Sequence, residues 1–579
     1  MNATRRPTGP RLRASLGIAT ALVMLMALTQ AADARDRRQP VSFTEQAAPL
    51  AEVELVVAPA VDVERMLAED RDKDRGARGG PLRFAAPLEV SWSSERDGSW
   101  ETLADGSLLW RLRIAAPGAL SLNLALSPFE LPTEGRLWLY DPRGEVVQGP
   151  FTPQDRTPKG ELWTPLVPGD EVVVEARVPA GSCSQTWLGV ARVNHGYRSL
   201  AKVAGSGDQD WCHNDVVCPE GDGWRDQIRA VGWFTLEGYE TCSGTLVNNT
   251  SADLTPYFLT ADHCDVESGN ADTMVVYWNF ESPTCGQLGG GSLADNQGGA
   301  TWLASWWNSD FTLVELWDEP DPSFDVHYAG WDARTRTPSS AVGIHHPMCG
   351  EKAISFENDP LRTPSQYEWP SQHFYDVIDW DDGTTQNGSS GSCLFDPATG
   401  LCVGTLTGGY AACGNDESDW YGKLSSHFTG GGAVGSRLSD YLDKAGTGAL
   451  TLAGTDPGGG HQDCVPDERT MCLNGGRFKV QVDFEDFDGV SGSGRVVPNG
   501  SDDSGLFWFF GADNWEMLVK VLDGCGVNDH YWVFAAATTN VEYTLTVTDT
   551  EEDAVRAYTN PLGTSPPALT DTTAFATCP

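Results

Sequence analysis

"QNGSSGSCLFD", residues 386–396, sets three serines within four positions between glycines and then runs into an apolar stretch. A flexible Ser/Gly spacer gives no reason for the continuation "CLFD…LCVGTLTGG", which reads as an apolar hairpin. The alternative is a tight turn ahead of a buried strand, shaped to present one hydroxyl. A serine hydroxyl is a poor nucleophile until a base takes its proton, a third group orients that base, and backbone N–H groups face the developing oxyanion. A G-x-S-G turn meets the last need. The amides of Gly388 and Ser390 converge while the Ser390 side chain projects outward.

The base is sought upstream. "YFLTADHC" (257–264) is an apolar strand ending at His263, and Cys264 can pin it. "TCSGTLVNN" carries Cys242 one strand earlier; a Cys242–Cys264 bridge closes a loop of about 22 residues, worth about 3 kcal/mol by loop-closure entropy. The orienting acid is expected between base and nucleophile. "SDFTLVEL" (309–316) puts Asp310 at the head of an alternating strand, where it can be buried against His263 Nδ1–H. His263, Asp310 and Ser390 then stand in His…Asp…Ser order, spaced to place acid and nucleophile in separate halves of a double β-barrel. That is the chymotrypsin-type order, not the subtilisin or α/β-hydrolase one.

At 579 residues the chain exceeds one core and divides into domains. Arg5, Arg6, Arg11 and Arg13, an apolar run from Leu16 to Leu28 and the A-x-A spacing of Ala32–Ala34 read as a secretory signal over residues 1–34. The run is too short to span a bilayer, and no later one is long enough. The expected product is exported and acts without a membrane. In an oxidising compartment the 14 cysteines are mostly disulfides. A net charge of −42 argues against nucleic acid, since phosphate binding needs a basic footprint. Only eight of the 39 basic residues are lysine, a skew that high-GC coding or avoidance of self-cleavage would produce.

Residues 35–202 hold alternating runs such as "LLWRLRIAA" and "DEVVVEARV" between Pro/Gly turns, and read as a β-sandwich. Residues 203–453 form the cysteine-richer middle domain, with one helical stretch expected at 433–445. A Gly-rich linker (454–463) leads to a second, smaller β-sandwich (464–579). The fold class is all-β throughout. No metal or cofactor is called for. His345 and His346 are adjacent and point to opposite faces of a strand, H-E-x-x-H is missing, and "DFEDFDG" (483–489) lacks the last glutamate of a calcium loop. No pair of acids stands out as a glycosidase's.

"CHNDVVCPEGDGWRDQIRAVGWF", "TCSGTLVNNTSADLTPYFLTADHC", "VVYWNFESPTCG", "SDFTLVELW", "EKAIS", "GSSGS" and "GGGAVGSRLSDYLD" appear in collinear order over about residues 205–450 and closely resemble bacterial secreted lysyl endopeptidases. The preceding region resembles the propeptide of such precursors. The resemblance implies a chymotrypsin-like double β-barrel flanked by an N-terminal β-sandwich propeptide and a C-terminal β-sandwich module. It implies cleavage of protein or peptide substrates after lysine by a monomer, made as a self-processing precursor whose own propeptide aids folding or inhibits. It further implies the bridges Cys212–Cys413, Cys218–Cys285 and Cys242–Cys264; Cys349, Cys393 and Cys402 fall outside the family pattern, and Cys393–Cys402 is expected across the hairpin.

A pocket for lysine needs a carboxylate at its base, because a desolvated ammonium without a partner is costly. Asp419, in "CGNDESDWYGKL" (413–424), matches the family's specificity aspartate. The backbone of Thr407, Gly408 and Gly409 is expected to pair with substrate as an added strand. Thr407 and Asp262 both stand where close relatives carry histidine. Trp369 and Trp380 are two candidates for the family's tryptophan beside the catalytic histidine. Lys202 lies in the expected boundary, so self-cleavage falls at Lys202–Val203. Two alternatives stay open: a trypsin-like enzyme accepting arginine as well, and a pseudoprotease that binds a surface or polymer.

Overall fold

Near-continuous apolar runs such as "VGWFTL" and "YFLT" demand strands buried on both faces, and among the described residues twelve strands of the middle of the chain, with shorter ones joined at their edges, build two sheets. The computed structural model describes residues 39–73, 80–199, 212–364, 371–457, 464, 466, 468–487, 489–497, 500–528, 530–550 and 554–578. The expected signal at 1–34 and the Lys202–Val203 bond lie outside the described residues. Val231–Leu236 (β1), Glu240–Val247 (β2), Tyr257–Thr260 (β3), Val275–Tyr277 (β4), Ala300–Trp306 (β5) and Phe311–Leu316 (β6) pair in the order β4-β1-β2-β3-β6-β5. Ala341–His345 (β7), Ala353–Glu357 (β8), Phe374–Val377 (β9), Cys393–Asp396 (β10), Leu401–Gly409 (β11) and Asp419–Lys423 (β12) pair in the order β8-β7-β10-β11-β12-β9. Both sheets follow one cyclic order, first-second-third-sixth-fifth-fourth. The first is open between its fourth and fifth strands, the second between its second and third. This is a chymotrypsin-like double barrel.

Side chains sort by face. Phe234, Phe258, Val276 and Val314 fill the first barrel. Val231, Leu259 and Leu313 from the first barrel share one buried cluster with Val342, Ile344, Ile354 and Phe395 from the second, which locks the two together. Beyond β12 the chain forms a short helix, Leu424–Thr429 (α1), that the sequence pattern did not announce. The helix expected at 433–445 shrinks to Ser439–Leu442. Gly435 takes positive φ and interrupts it, while Leu438 and Leu442 are still drawn into the core. Gly454 and Thr455 remain with the barrels, Thr455 exchanging two backbone hydrogen bonds with Tyr328 (2.8 and 2.9 Å).

Residues 55–196 form a sandwich. One sheet is built on 108–115, 171–178 and 136–140, the other on 121–130, 187–196 and 85–93, with Trp110, Leu124, Phe129 and Val174 between them. The sandwich is joined to the first barrel. Leu82 and Arg83 add a short antiparallel strand to β2 at Thr241 and Glu240. The Leu166 N–H donates to the Tyr277 hydroxyl (2.9 Å). Leu82, Phe84 and Leu166 share a buried cluster with Trp233, Tyr277 and Phe280. A separate unit begins at Asp456. Its two antiparallel sheets, centred on 478–485 with 542–549 and on 517–523 with 531–537, enclose Phe478, Phe507, Val519 and Val533.

Six disulfides form: Cys212–Cys413, Cys218–Cys285, Cys242–Cys264, Cys393–Cys402, Cys464–Cys472 and Cys525–Cys578. Cys183 and Cys349 remain thiols. Phe84→Ala empties a site shared by sandwich and barrel, so the full chain is expected to lose about 3–5 kcal/mol. A urea titration reads this as a lower midpoint; a loss under about 1 kcal/mol would show that this cluster does not hold the two together.

Candidate active site

Strand pairing brings the first two groups together. β3 and β6 are antiparallel, with Thr260 opposite Thr312, so the residues just past β3 and just before β6 meet. These are His263 and Asp310. Asp310 Oδ1 accepts the His263 backbone N–H (3.0 Å), and Oδ2 lies 2.8 Å from His263 Nδ1. A carboxylate that takes both the main chain and the ring of one residue fixes the ring's position. It also puts the ring proton on Nδ1 and leaves Nε2 as the acceptor. Asp310 is fully buried and sits at φ 64°, a left-handed conformation that a non-glycine residue adopts at some cost. The Cys242–Cys264 bridge anchors the other side of His263.

A buried histidine that no motif flagged supports this pair. His427, on α1, places Nδ1 2.9 Å from Ser309 Oγ and Nε2 3.0 Å from Thr405 Oγ1. It thereby ties the residue before Asp310 to β11 of the other barrel. Burial pushes its pKa down to about 3, so it is a neutral strut.

The turn from Gln386 to Ser390 approaches from the second barrel. Ser243 N–H donates to Ser390 O (2.9 Å), and Cys264 Sγ lies 3.9 Å from the same oxygen. Gly391, at φ 83°, makes the approach possible: a Cβ there would come within 2.1 Å of Thr260 Oγ1 and 2.6 Å of Ser243 O. Two further bonds aim the amides. Asn387 O accepts the Met348 N–H (2.7 Å), which turns the N–H of the same peptide unit, that of Gly388, the opposite way. Ser389 O accepts from the Ser392 N–H (3.2 Å) and turns the Ser390 N–H likewise. Among the described residues, neither the Gly388 nor the Ser390 N–H has a hydrogen-bond acceptor. Ser390 is half-buried and the buried His263 Nε2 has no hydrogen-bond partner among the described residues, so the structure brings histidine and acid into contact and leaves the Oγ–Nε2 bond unmade.

Asp419 heads β12 opposite Gly409. Its Oδ2 accepts from Thr385 Oγ1 (2.6 Å) and Trp380 Nε1 (2.8 Å). Burial raises its pKa to about 6 against the pull of these bonds. Thr385 and Trp380 were not singled out as its partners, because nothing local marks a residue that reaches an acid on a distant strand. Of the two tryptophans named as alternatives for the one beside the histidine, Trp380 donates to Asp419 and packs against Tyr421, and Trp369 lies outside the described residues. From Thr407 to Gly409, β11 keeps β12 on one side, and among the described residues no strand covers its other edge. The buried Thr407 Oγ1 has no hydrogen-bond partner.

A family model of the lysyl endopeptidase C-terminal domain matches residues 206–422, and one of the lysyl endopeptidase N-terminal domain matches residues 57–197. The chain belongs to the lysyl endopeptidase family. It is a peptidase. Lysyl endopeptidase of Pseudomonas aeruginosa is 28% identical over 393 residues, 63% of this chain and 82% of that protein. Among solved structures, kallikrein-related peptidase 10 in complex with Zn2+ is 14% identical with a TM-score of 0.24, covering 34% of this chain and 89% of its own. Tobacco vein mottling virus protease is 11% identical with a TM-score of 0.22, covering 39% and 84%. Asp310→Asn reverses which ring nitrogen of His263 carries the proton. Peptide hydrolysis by this family member is then expected to fall about 10⁴-fold in kcat with KM little changed, as steady-state kinetics would show.

Proposed function

We propose that the barrel domain is a serine endopeptidase that cuts on the carboxyl side of lysine, released from a secreted precursor by its own activity. Ser390 Oγ attacks the scissile carbonyl carbon while His263 Nε2 takes its proton. Asp310 holds the ring and stabilises the imidazolium that forms. The Gly388 and Ser390 amides receive the oxyanion, His263 protonates the leaving amine, and water repeats the sequence on the acyl-enzyme. Asp419 pairs with the lysine ammonium, and the open edge of Thr407–Gly409 takes the substrate backbone as a strand.

One observation carries the reading: a single loop, 384–390, bonds the buried Asp419 through Thr385 and ends in the turn whose two unpaired amides flank Ser390. The specificity acid and the nucleophile are thus held by the same few residues. The unmade Ser390–His263 bond favours the second reading, a pseudoprotease, although such bonds are often long before substrate arrives. A serine-directed phosphonylating reagent separates the two, since a pseudoprotease takes up none.

Processing at Lys202–Val203 fits the surroundings of the nearest basic alternative. Arg198 is buried and paired with Asp70 (3.0 Å), so the bond after it is poorly placed for cleavage. N-terminal sequencing of the secreted protein is expected to return Val-Ala-Gly-Ser, and Ser390→Ala is expected to leave the precursor uncut. A start after Arg198 would point to a pocket that also accepts arginine. The strand and shared core that join the N-terminal sandwich to the first barrel suit a propeptide that templates or restrains the protease.

Asp419 gives the pocket a pH signature. Its carboxyl is neutral below about 6 and charged above, and only the charged form attracts an ammonium. The Ki of a primary alkylamine competitor is therefore expected to rise about tenfold per pH unit below about 6 and to level off above about 7. Asp419→Asn should abolish this slope and lower kcat/KM on lysyl substrates about 10²- to 10⁴-fold.

A further inference from the structure

Ser389 sits between the two oxyanion-binding positions, yet its side chain faces the protein interior and does no chemistry. It is fully buried. Its Oγ accepts from the Gln386 N–H (3.3 Å) and lies 2.8 Å from His345 Nδ1. The other ring nitrogen, Nε2, is 3.2 Å from Ser355 Oγ, and Ser355 Oγ donates to Thr384 O (2.9 Å). A carbonyl accepts only, and that fixes every proton in the chain. Ser355 gives its hydrogen to Thr384, so it must accept from His345 Nε2–H. His345 Nδ1 is then an acceptor and takes the Ser389 hydroxyl hydrogen. Ser389 keeps its lone pairs for the Gln386 amide. The relay runs one way, from Gln386 N–H through Ser389 and His345 to Ser355 and Thr384 O.

We propose that His345 is a positioning residue for the reaction proposed above, acting through Ser389 to hold the Gly388 and Ser390 amides on one point. The relay begins and ends in the same loop, at Gln386 and at Thr384, so it staples the loop to β7 and β8 rather than to itself. His213 closes a second clamp on that loop. Its Nδ1 lies 3.1 Å from Thr384 O and its Nε2 2.8 Å from Gln386 Oε1. His213 follows Cys212, which is bonded to Cys413, so the start of the barrel domain is tied to the oxyanion turn. Without the Ser389 bond the peptide units on either side of it can rotate, and a misplacement of about 1 Å at a reacting centre costs about 10²-fold in rate.

The inference rests on the protease reading and is tested on the secreted protein produced from the full chain. Ser389→Ala removes the hydroxyl and touches neither pocket nor nucleophile. Three quantities are measured against wild type: kcat/KM on a lysyl peptide amide, the Ki of a peptidyl-lysine boronate, whose tetrahedral adduct places an oxygen between the two amides, and the Ki of a primary alkylamine, which reads the pocket alone. The expected result is a parallel loss of about 10- to 100-fold in kcat/KM and boronate affinity, with the alkylamine Ki within about twofold and Tm little changed. Rates and boronate affinity within about twofold of wild type would overturn it, as would a loss in which the alkylamine Ki rises in step. Should Ser389→Ala not fold, Ser355→Ala tests the far end of the relay and is expected to show the same pattern at smaller amplitude. A wild-type protein that takes up no phosphonate at Ser390 would sink the protease reading itself, whereas a labelled, active wild type beside an unaltered Ser389→Ala variant would sink this inference alone.

Discussion

Asp310 accepting both the main chain and the ring of His263 is the constraint on which the site depends. It is demanding because the carboxylate is fully buried and its backbone is left-handed, so the pair exists only while the surroundings enforce it. Three structures enforce it. The β3–β6 register sets which residues face each other past the strand ends, and a slip of one residue would turn each side chain to the opposite face. The Cys242–Cys264 bridge fixes the segment that carries the histidine. His427 reaches across from α1 to Ser309 and Thr405, so the second barrel supports geometry in the first.

The second barrel contributes less through its strands than through one loop between β9 and β10. Thr385 in that loop bonds Asp419, the proposed pocket acid, Ser389 is stapled to β7, and the peptide units around Gly388 and Ser390 are aimed by Met348 and Ser392. Donors pointed at a charge that has not yet formed are useful only if they need no reorganisation when it does. The density of side-chain bonds on this loop would supply that preorganisation to the proposed chemistry. It also means that the proposed specificity and the proposed chemistry share a support.

Most of the scaffold was legible. Apolar runs bounded by Pro and Gly gave the strands, and "TADHC", "SDFTLVEL" and "GSSGS" marked where three candidate side chains leave strand ends. Local pattern served less well where Gly435, at positive φ, broke an otherwise helical repeat at 433–445, and where α1 formed around the buried Leu424, His427 and Phe428. It was silent on Thr385 and His427, and it gave Trp380 no place at Asp419 and His345 none at Ser389. Each of these acts on a residue brought near by barrel closure, and a contact made across a barrel leaves no periodicity in the segment that makes it. Tertiary partners of a motif are therefore hidden even where the motif itself is plain.

The N-terminal sandwich extends the same logic outward. Trp233, Tyr277 and Phe280 lie on strands of the first barrel or just beyond them, yet their shared cluster is completed by Leu82, Phe84 and Leu166 from the sandwich. Aromatic side chains of this size bury about 150–250 Å² each and dominate the contacts they join. The Leu166 amide is satisfied by Tyr277, and the edge of β2 at Glu240 and Thr241 is closed by a strand from the sandwich. An edge strand and an aromatic cluster of this kind, left bare, invite pairing with another chain. The barrel that carries His263 and Asp310 is thus covered on this side by a segment that precedes it in the chain.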